Sequence, residues 1–474
     1  MTENAEFSYL CKFKKIMTML RNALRNIFAV LMISAAAAVS CGKIGSEYET
    51  DAPNPWPGDR VPTAPASPVR AHLMVTVGFN NLSSFLAEDV LDLEDGFIPG
   101  NSAQDNLLFV FSHNTDGAYS IATSPVLSRL YKGSDGQIYR QKLIEFEKGS
   151  IPNTKESLSR VLNFIRDNYH PSSCGVLFSS HGTGWTPPGY CMKPELYEKG
   201  TEDSGFTMLS GDFSGGESPR ERMPWNGLVP YFDTSATPLT KSFGQTIIPT
   251  DTSSSYETDI RELAEGIPFK LEYIIFDACF MGGVEVAYEL KDKCRYICFS
   301  QTEILADGMN YRTMISHLLE GDAPDLQGLC REFFDYYNSK SGGDRSATIS
   351  MVDCSGLDEL ASVCRGIFSR HQVSTTACIG ASLQKYFYYS SHRWFYDLRS
   401  IVRAAGADES EISNLDNALS RCVLYKAATP VFAIYGFPIT SHSGLSMYLP
   451  YPDRTYLNNY YRKLSWNKAT ELVK

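Results

Sequence analysis

The stretch YIIFDACFMGGVEVAYEL, residues 273–290 of a 474-residue chain, changes character in its middle. YIIF is short and continuously apolar, the pattern of a strand covered on both faces. Asp277, Ala278 and Cys279 follow, then a turn rich in small residues, then VEVAYEL with the composition of a helix. A buried strand that passes through small residues into a helix is the repeating unit of an open α/β sheet. Such sheets form their sites outside the carboxyl ends of the strands, where this one puts an acid and a cysteine.

The same signature recurs outward from that point. HLMVTV (72–77), NLLFVF (106–111), GVLFS (175–179) and YICFS (296–300) are further short apolar runs. NTKESLSRVLNFIRDNY (153–169) opens on Asn153 with Glu156 three residues on, a capping-box variant. Its Leu158, Val161, Leu162 and Ile165 share one helical face. The alternation predicts an α/β fold with a mostly parallel central sheet and helices on both faces. KGSDGQ (132–137) predicts a hairpin appended to it. Beyond 346, ATISMVD, LDELASVCRGIF and SGLSMYLPYP predict a C-terminal α/β extension, so the expected division is 71–345 and 346–474. Residues 186–253 are dense in Gly, Ser, Pro and Thr, and a loop that long is functional or mobile.

Composition excludes several function classes. Net charge is −11 and no dense basic run stands outside the N-terminus, which argues against nucleic acid as a partner. Lys12, Lys14, Lys15, Arg21 and Arg25 precede IFAVLMISAAAAVS, so residues 1–40 read as an export signal. AVSC (38–41) resembles a bacterial lipobox, which would lipidate Cys41 and anchor the chain in the cell envelope, with the outer membrane as the expected site; an ordinary signal peptide cut near the alanines is the alternative. Residues 41–70, rich in Pro, Gly, Ser and acid, read as a tether. Of 12 cysteines, those other than Cys11, Cys41 and Cys279 are scattered without framework spacing. Cys294 and Cys298 have no second pair or His cluster, so no metal site is expected.

Two reactive side chains stand at strand ends. His181 follows GVLFSS and opens HGTGW; Cys279 follows YIIFDA. If their strands are neighbours, imidazole and thiol meet. A thiol at a helix N-terminus gains thiolate character, and a nearby His can act as base and then protonate a leaving amine. Backbone N–H groups of Gly182 and Cys279 could form an oxyanion hole. Alone, each side chain is more often structural. His113, after LLFVFS, is a second candidate, but it lacks the glycines that give His181 room for a substrate backbone. Asp277 has two readings: it caps the following helix, or it receives a cation, since a carboxylate beside a nucleophilic thiol otherwise disfavours thiolate.

LFSSHGTGW and IIFDACFMGGVEVAYEL resemble the histidine and cysteine blocks of the clostripain family of cysteine peptidases, in the clan of caspases, legumain and gingipains. SQTEILADGMNY (300–311), FYDLRSIV and SGLSMYLPYP resemble later family segments, and the likeness runs from about residue 71 to the C-terminus. The resemblance implies a caspase-like sheet, a Cys279–His181 dyad and cleavage after Arg or Lys, with Asp277 in the S1 pocket and Asp307 as a candidate second acid. It also implies a zymogen that cuts itself between the two blocks, with Lys193, Lys199, Arg220, Arg222 and Lys241 as possible sites. Phe280 departs from the smaller aliphatic residue commoner in the family, and TEILADG lacks a fuller acidic run. No cofactor is expected; calcium is suggested by resemblance only. The expected partners are protein or peptide substrates with a basic P1 residue and, through the anchor, a membrane, with the chain itself a monomer. Two rivals are a surface binding lipoprotein on a peptidase scaffold and a thiol transpeptidase.

Overall fold

Nine strands form one sheet: β1 (Arg70–Val77), β2 (Leu107–His113), β3 (Val126–Lys132), β4 (Ile138–Glu145), β5 (Ser173–Ser179), β6 (Leu271–Asp277), β7 (Cys294–Phe299), β8 (Thr348–Asp353) and β9 (Val423–Ala428). In this computed structural model they lie in the order β9-β8-β7-β6-β5-β1-β2-β3-β4. The structure describes residues 69–77, 82–113, 124–191, 194–199, 251–387 and 393–474, with short strands at 223–224, 240–241 and 246–248. The export signal, Cys41 and the tether up to residue 68 lie outside the described residues, as do Lys193, Arg220 and Arg222.

The central block β7-β6-β5-β1-β2 is parallel, and antiparallel pairs close both edges. This is the expected mostly parallel α/β sheet. The predicted hairpin is β3–β4, turned at Gly133 and Gly136 with the Gly133 N–H on the Gln137 carbonyl at 2.8 Å. Residues beyond 346 supply β8 and β9, which extend the same sheet past β7.

Alternation along the strands splits the core in two. From β6, Ile274 and Phe276 join one buried cluster, while Tyr273 and Ile275 join the other. Neither face is wet, so the strands carry no polar alternation. The first face is covered by α2 (Lys155–Tyr169), α4 (Ile260–Gly266), α5 (Val284–Leu290), α8 (Leu357–Arg370), α9 (Leu398–Ala404), α10 (Glu409–Cys422), α11 (Thr455–Tyr461) and α12 (Ser465–Thr470). The second is covered by α1 (Ser83–Glu94), α6 (Tyr311–Leu319) and α7 (Leu326–Asn338).

Helix α2 buries Leu158, Val161, Leu162 and Ile165 as its periodicity requires. Its cap is Thr154, whose hydroxyl accepts from the Ser157 N–H at 3.2 Å, and not Asn153. Asn153 instead donates to the Thr258 hydroxyl at 2.8 Å, so the neighbouring polar residue takes over the cap.

The segment expected to be irregular from 186 to 253 begins as built structure. Tyr190 and Cys191 are buried, and α3 (Pro194–Glu198) is fastened to the C-terminal part. Glu198 accepts from the Tyr190 hydroxyl at 2.7 Å and from the N–H of Tyr456 at 2.9 Å. Aromatic side chains that a Gly- and Pro-rich composition hides are what order it: Tyr190 stacks on Tyr456 and packs at a tilt against Trp394.

Candidate active site

Strands β5 and β6 are parallel neighbours, with Ser179 directly opposite Asp277. Two residues beyond that rung come His181 on one chain path and Cys279 on the other. Both residues therefore lie just past the ends of neighbouring strands, and both are buried, His181 at 4% and Cys279 at 0% exposure. Their loops touch. Gly184 has φ +62°, and a Cβ there would stand 2.7 Å from the carbonyl oxygen of Phe280 and 2.7 Å from the ring of Phe395. Only glycine lets the HGTG loop come this close.

Phe280 carries a positive φ of 58°, an uncommon and strained conformation for a bulky residue. Its N–H donates to the Thr302 carbonyl at 2.9 Å, and its ring stacks on Phe395 with centroids 4.7 Å apart. The aromatic side chain thus gives the sharp turn after Cys279 a packing partner. The Cys279 Sγ lies 3.2 Å from the Ile304 nitrogen, which donates to it, and 3.7 Å from the Ile304 oxygen.

The helix after the cysteine starts later than the sequence suggested. The N-cap of α5 is Gly283, so Cys279 lies outside the first turn, where the helix dipole acts. The helix dipole therefore lends little thiolate character to Cys279.

Gly283 as the cap also removes the capping role considered for Asp277. The Asp277 carboxylate is fully buried and accepts from the Ser179 hydroxyl at 3.2 Å and from the Tyr311 hydroxyl. It continues the row of Tyr273 and Ile275 toward the α1, α6 and α7 side. Ser179 Oγ is also 3.4 Å from a carboxylate oxygen of buried Asp89 on α1. Burial, then Asp277 and Asp89, push the Tyr311 phenol well above its ordinary value. Burial, then Asp277, Asp307 and Asp89, do the same to Tyr337. Asp277 and Asp89 therefore meet at the Ser179 hydroxyl. Asp307 itself is exposed, on the turn between Leu305 and Gly308, and the Gly308 carbonyl accepts from the Tyr337 hydroxyl at 2.6 Å. Asp89, Ser179, Tyr311 and Tyr337 escaped the sequence reading because no spacing links them to residue 277.

His113 ends β2, two strands from β5, and burial lowers its pKa to about 4. It is not brought to Cys279. Lys199 is exposed just after α3, and Lys241 lies in the short strand Thr240–Lys241. Among the described residues no group of three or more His, Cys, Asp or Glu could hold a metal ion, and none of the ten described cysteines is in a disulfide.

The chain after β7 is held from behind. Thr348 Oγ1 accepts from the N–H groups of Gln301 and Thr302, both at 3.0 Å. The C-terminal part clamps the cysteine block: the Ser446 N–H donates to the Gly282 carbonyl at 2.9 Å. Glu285, fully buried on α5, accepts from the Tyr448 N–H and the Tyr461 hydroxyl, each at 2.8 Å. Trp185 of the HGTGW block packs on both tyrosines, at 4.9 Å from each ring. Burial raises the Glu285 carboxyl to about 7. One buried acid thus joins the cysteine block to tyrosines on which the histidine block packs.

The clostripain family profile matches residues 75–195 and 245–472, nearly the whole described chain. The chain belongs to the clostripain family. It is a cysteine-type peptidase, and the family match spans both strand ends described above. Solved structures share its fold. An inactive zymogen C11 protease from Parabacteroides distasonis is 24% identical with a TM-score of 0.63, over 86% of this chain and 99% of that one. A secreted C11 cysteine protease from Bacteroides thetaiotaomicron is also 24% identical, TM-score 0.63, over 86% and 100%. A further structure of a secreted C11 protease from that organism, in complex with an irreversible peptide inhibitor, is 20% identical over 85% and 99%, TM-score 0.63. No curated protein matches this chain.

Proposed function

We propose that this clostripain-family peptidase is an endopeptidase that cleaves peptide bonds after Arg or Lys. The observation that carries the reading is the pairing of Ser179 with Asp277, which puts His181 and Cys279 two residues past one rung of the sheet. In the proposed reaction the Cys279 sulfur attacks the scissile carbonyl, and His181 takes the thiol proton and returns it to the leaving amine. The N–H groups of Gly182 and Cys279 receive the oxyanion. A water molecule then hydrolyses the thioester. Asp277 meets the P1 ammonium or guanidinium, and Asp307 is the second acid at the pocket mouth.

Support for the P1 assignment comes from Asp277 being buried, free of any capping duty and surrounded by tyrosine and serine hydroxyls that hold its carboxylate in place. No metal is needed in this reading, and calcium is not assigned a site. The proposal extends to export, with lipidation at Cys41 and residence in the cell envelope, and to a monomeric chain; the secreted relative from Bacteroides thetaiotaomicron accords with export.

The test is a fluorogenic peptide series differing only in P1, assayed with purified residues 42–474 in EDTA and in calcium. Lys and Arg peptides should be turned over, Ala and Glu peptides should not, and EDTA should leave the rate unchanged. Equal turnover of Ala and Arg peptides would refute the P1 assignment. Amide products on adding amine nucleophiles would point to transpeptidation instead.

A further inference from the structure

We propose that Cys294 and Cys354 form a covalent modification site: a thiol pair that a small disulfide of the cystine or glutathione class converts into a bond stapling β7 to the end of β8. The proposal stands apart from the peptidase reading.

The first observation is contact. The Cys294 and Cys354 sulfurs stand 3.8 Å apart, although 60 residues separate them along the chain. Cys294 opens β7, and Cys354 opens the turn Cys354–Gly356 that follows β8. The two strands are antiparallel, with Tyr296 opposite Asp353, so the sheet itself brings the start of one to the end of the other. Disulfide sulfurs lie about 2 Å apart. A shift of less than about 2 Å therefore closes the bond, within the reach of side-chain rotation.

The second observation is access. A cleft of about 570 Å³ opens at the amino ends of β5, β6 and β7, and its lining includes Ser173, Lys270, Arg295, Asp353 and Cys354. This is the end of the sheet away from His181 and Cys279. Cys354 is 6% exposed, while Cys294 is wholly buried. Burial, then the neighbouring Cys354, raises the Cys294 thiol well above its ordinary value, with Lys270 acting against the rise. A reagent thus meets Cys354 first, and Cys294 completes the bond. Cys298 and Cys330 supply the contrast. Their thiols are also hydrogen-bonded to each other, but both are wholly buried in the other core cluster and neither lines the cleft.

The exchange balances. The Cys354 sulfur attacks one sulfur of the small disulfide and releases one thiol. The Cys294 sulfur then attacks the Cys354 sulfur and releases the second. Two protein thiols are oxidised, the reagent is reduced to two thiols, and the two protons leave on them. A chain exported as proposed above meets such oxidants, whereas a cytosolic chain is kept reduced. At the other end of β8, Thr348 already ties the strand to the chain after β7 through the N–H groups of Gln301 and Thr302. The Thr302 carbonyl in turn takes the Phe280 N–H. With the bond formed, the strand pair behind the cysteine loop is fastened at both ends, and the unfolded chain loses the freedom of the closed loop.

The test uses residues 42–474 carrying Cys279→Ala, so that the nucleophile does not consume the reagent. The protein is incubated with oxidised glutathione, unfolded in an alkylating agent and mapped by mass spectrometry without reduction. One linked peptide pair should appear, joining Cys294 to Cys354, with Cys298 and Cys330 alkylated. The melting temperature should rise by roughly 5 °C, the order expected for closing a loop of this length in a chain of this size, and fall back on adding dithiothreitol. Cys294→Ala and Cys354→Ala should each lose the link and the shift, while Cys422→Ala should keep both. Each variant is compared with itself, oxidised against reduced, so a change in its basal stability does not enter. Cys294 and Cys354 both alkylated after oxidation, Cys354 linked to Cys422, a glutathione adduct on Cys354 that Cys294 never displaces, or a link that leaves the melting temperature unchanged would overturn the inference and leave the peptidase reading standing.

Discussion

Replacing Asp277 by Asn tests the cation pocket without disturbing the fold. The side chain keeps its shape, and its remaining oxygen can still accept from Ser179 and Tyr311. What is lost is a full negative charge at a fully buried position. Two unit charges about 4 Å apart attract by roughly 4 kcal/mol at the effective dielectric of a protein site, against about 1 kcal/mol in water. Allowing for the hydrogen bond that Asn still offers an ammonium group, about 3 kcal/mol of transition-state binding should disappear, roughly a hundredfold in kcat/KM. The assay is kcat/KM for matched P1 Lys, P1 Arg and P1 Gln peptides, measured beside the rate of Cys279 alkylation by iodoacetamide. Basic substrates should lose roughly a hundredfold, the Gln peptide little, and alkylation should hold or rise, because removing a neighbouring anion favours thiolate. If all peptides and alkylation fall together, Asp277 acts through the thiol and the pocket argument is refuted.

Two further substitutions probe the frame. Gly184→Ala meets a left-handed backbone that costs about 1–2 kcal/mol for a residue with a Cβ, and the Cβ would stand 2.7 Å from the Phe280 oxygen. A loss of about 2–4 kcal/mol in denaturant unfolding is expected with overpacking added, together with a fall in kcat; unchanged activity would mean that the histidine loop need not approach the cysteine loop. Glu285→Gln probes pH dependence. Burial raises Glu285 from the ordinary 4.5 to about 7, so the folded state binds the proton more tightly than the unfolded one. Its contribution is complete below pH 4.5 and is lost as pH rises through 7, about 3 kcal/mol in all. The variant should therefore gain stability relative to wild type between pH 4.5 and 8, and a pH-independent difference would contradict the assignment.

The sheet was legible because its strands are covered on both faces, and such strands are written as unbroken apolar runs like YIIF and GVLFS. The placing of His181 and Cys279 just past neighbouring strand ends was legible for the same reason: each follows such a run. Strand β9 was not, because VLYKAA lies at the sheet edge with much of its surface exposed. Glu285 reads as a solvent-facing helix acid, and only the C-terminal part folding over α5 buries it. Asp89 and Tyr311 meet Asp277 and Ser179 through tertiary packing that local sequence does not encode. Asn153 and Thr154 are adjacent capping types, and the choice between them was made by Thr258 far along the chain.

The central claim is that Cys279 is the nucleophile of a site selective for basic residues. It is tested most directly by treating purified residues 42–474 with an Arg-based acyloxymethyl-ketone probe and mapping the adduct by mass spectrometry, beside Cys279→Ala. The account predicts one adduct, on Cys279, with loss of all peptide turnover and no adduct in the variant. Turnover retained by Cys279→Ala, or an adduct on another residue that accompanies inactivation, would contradict it.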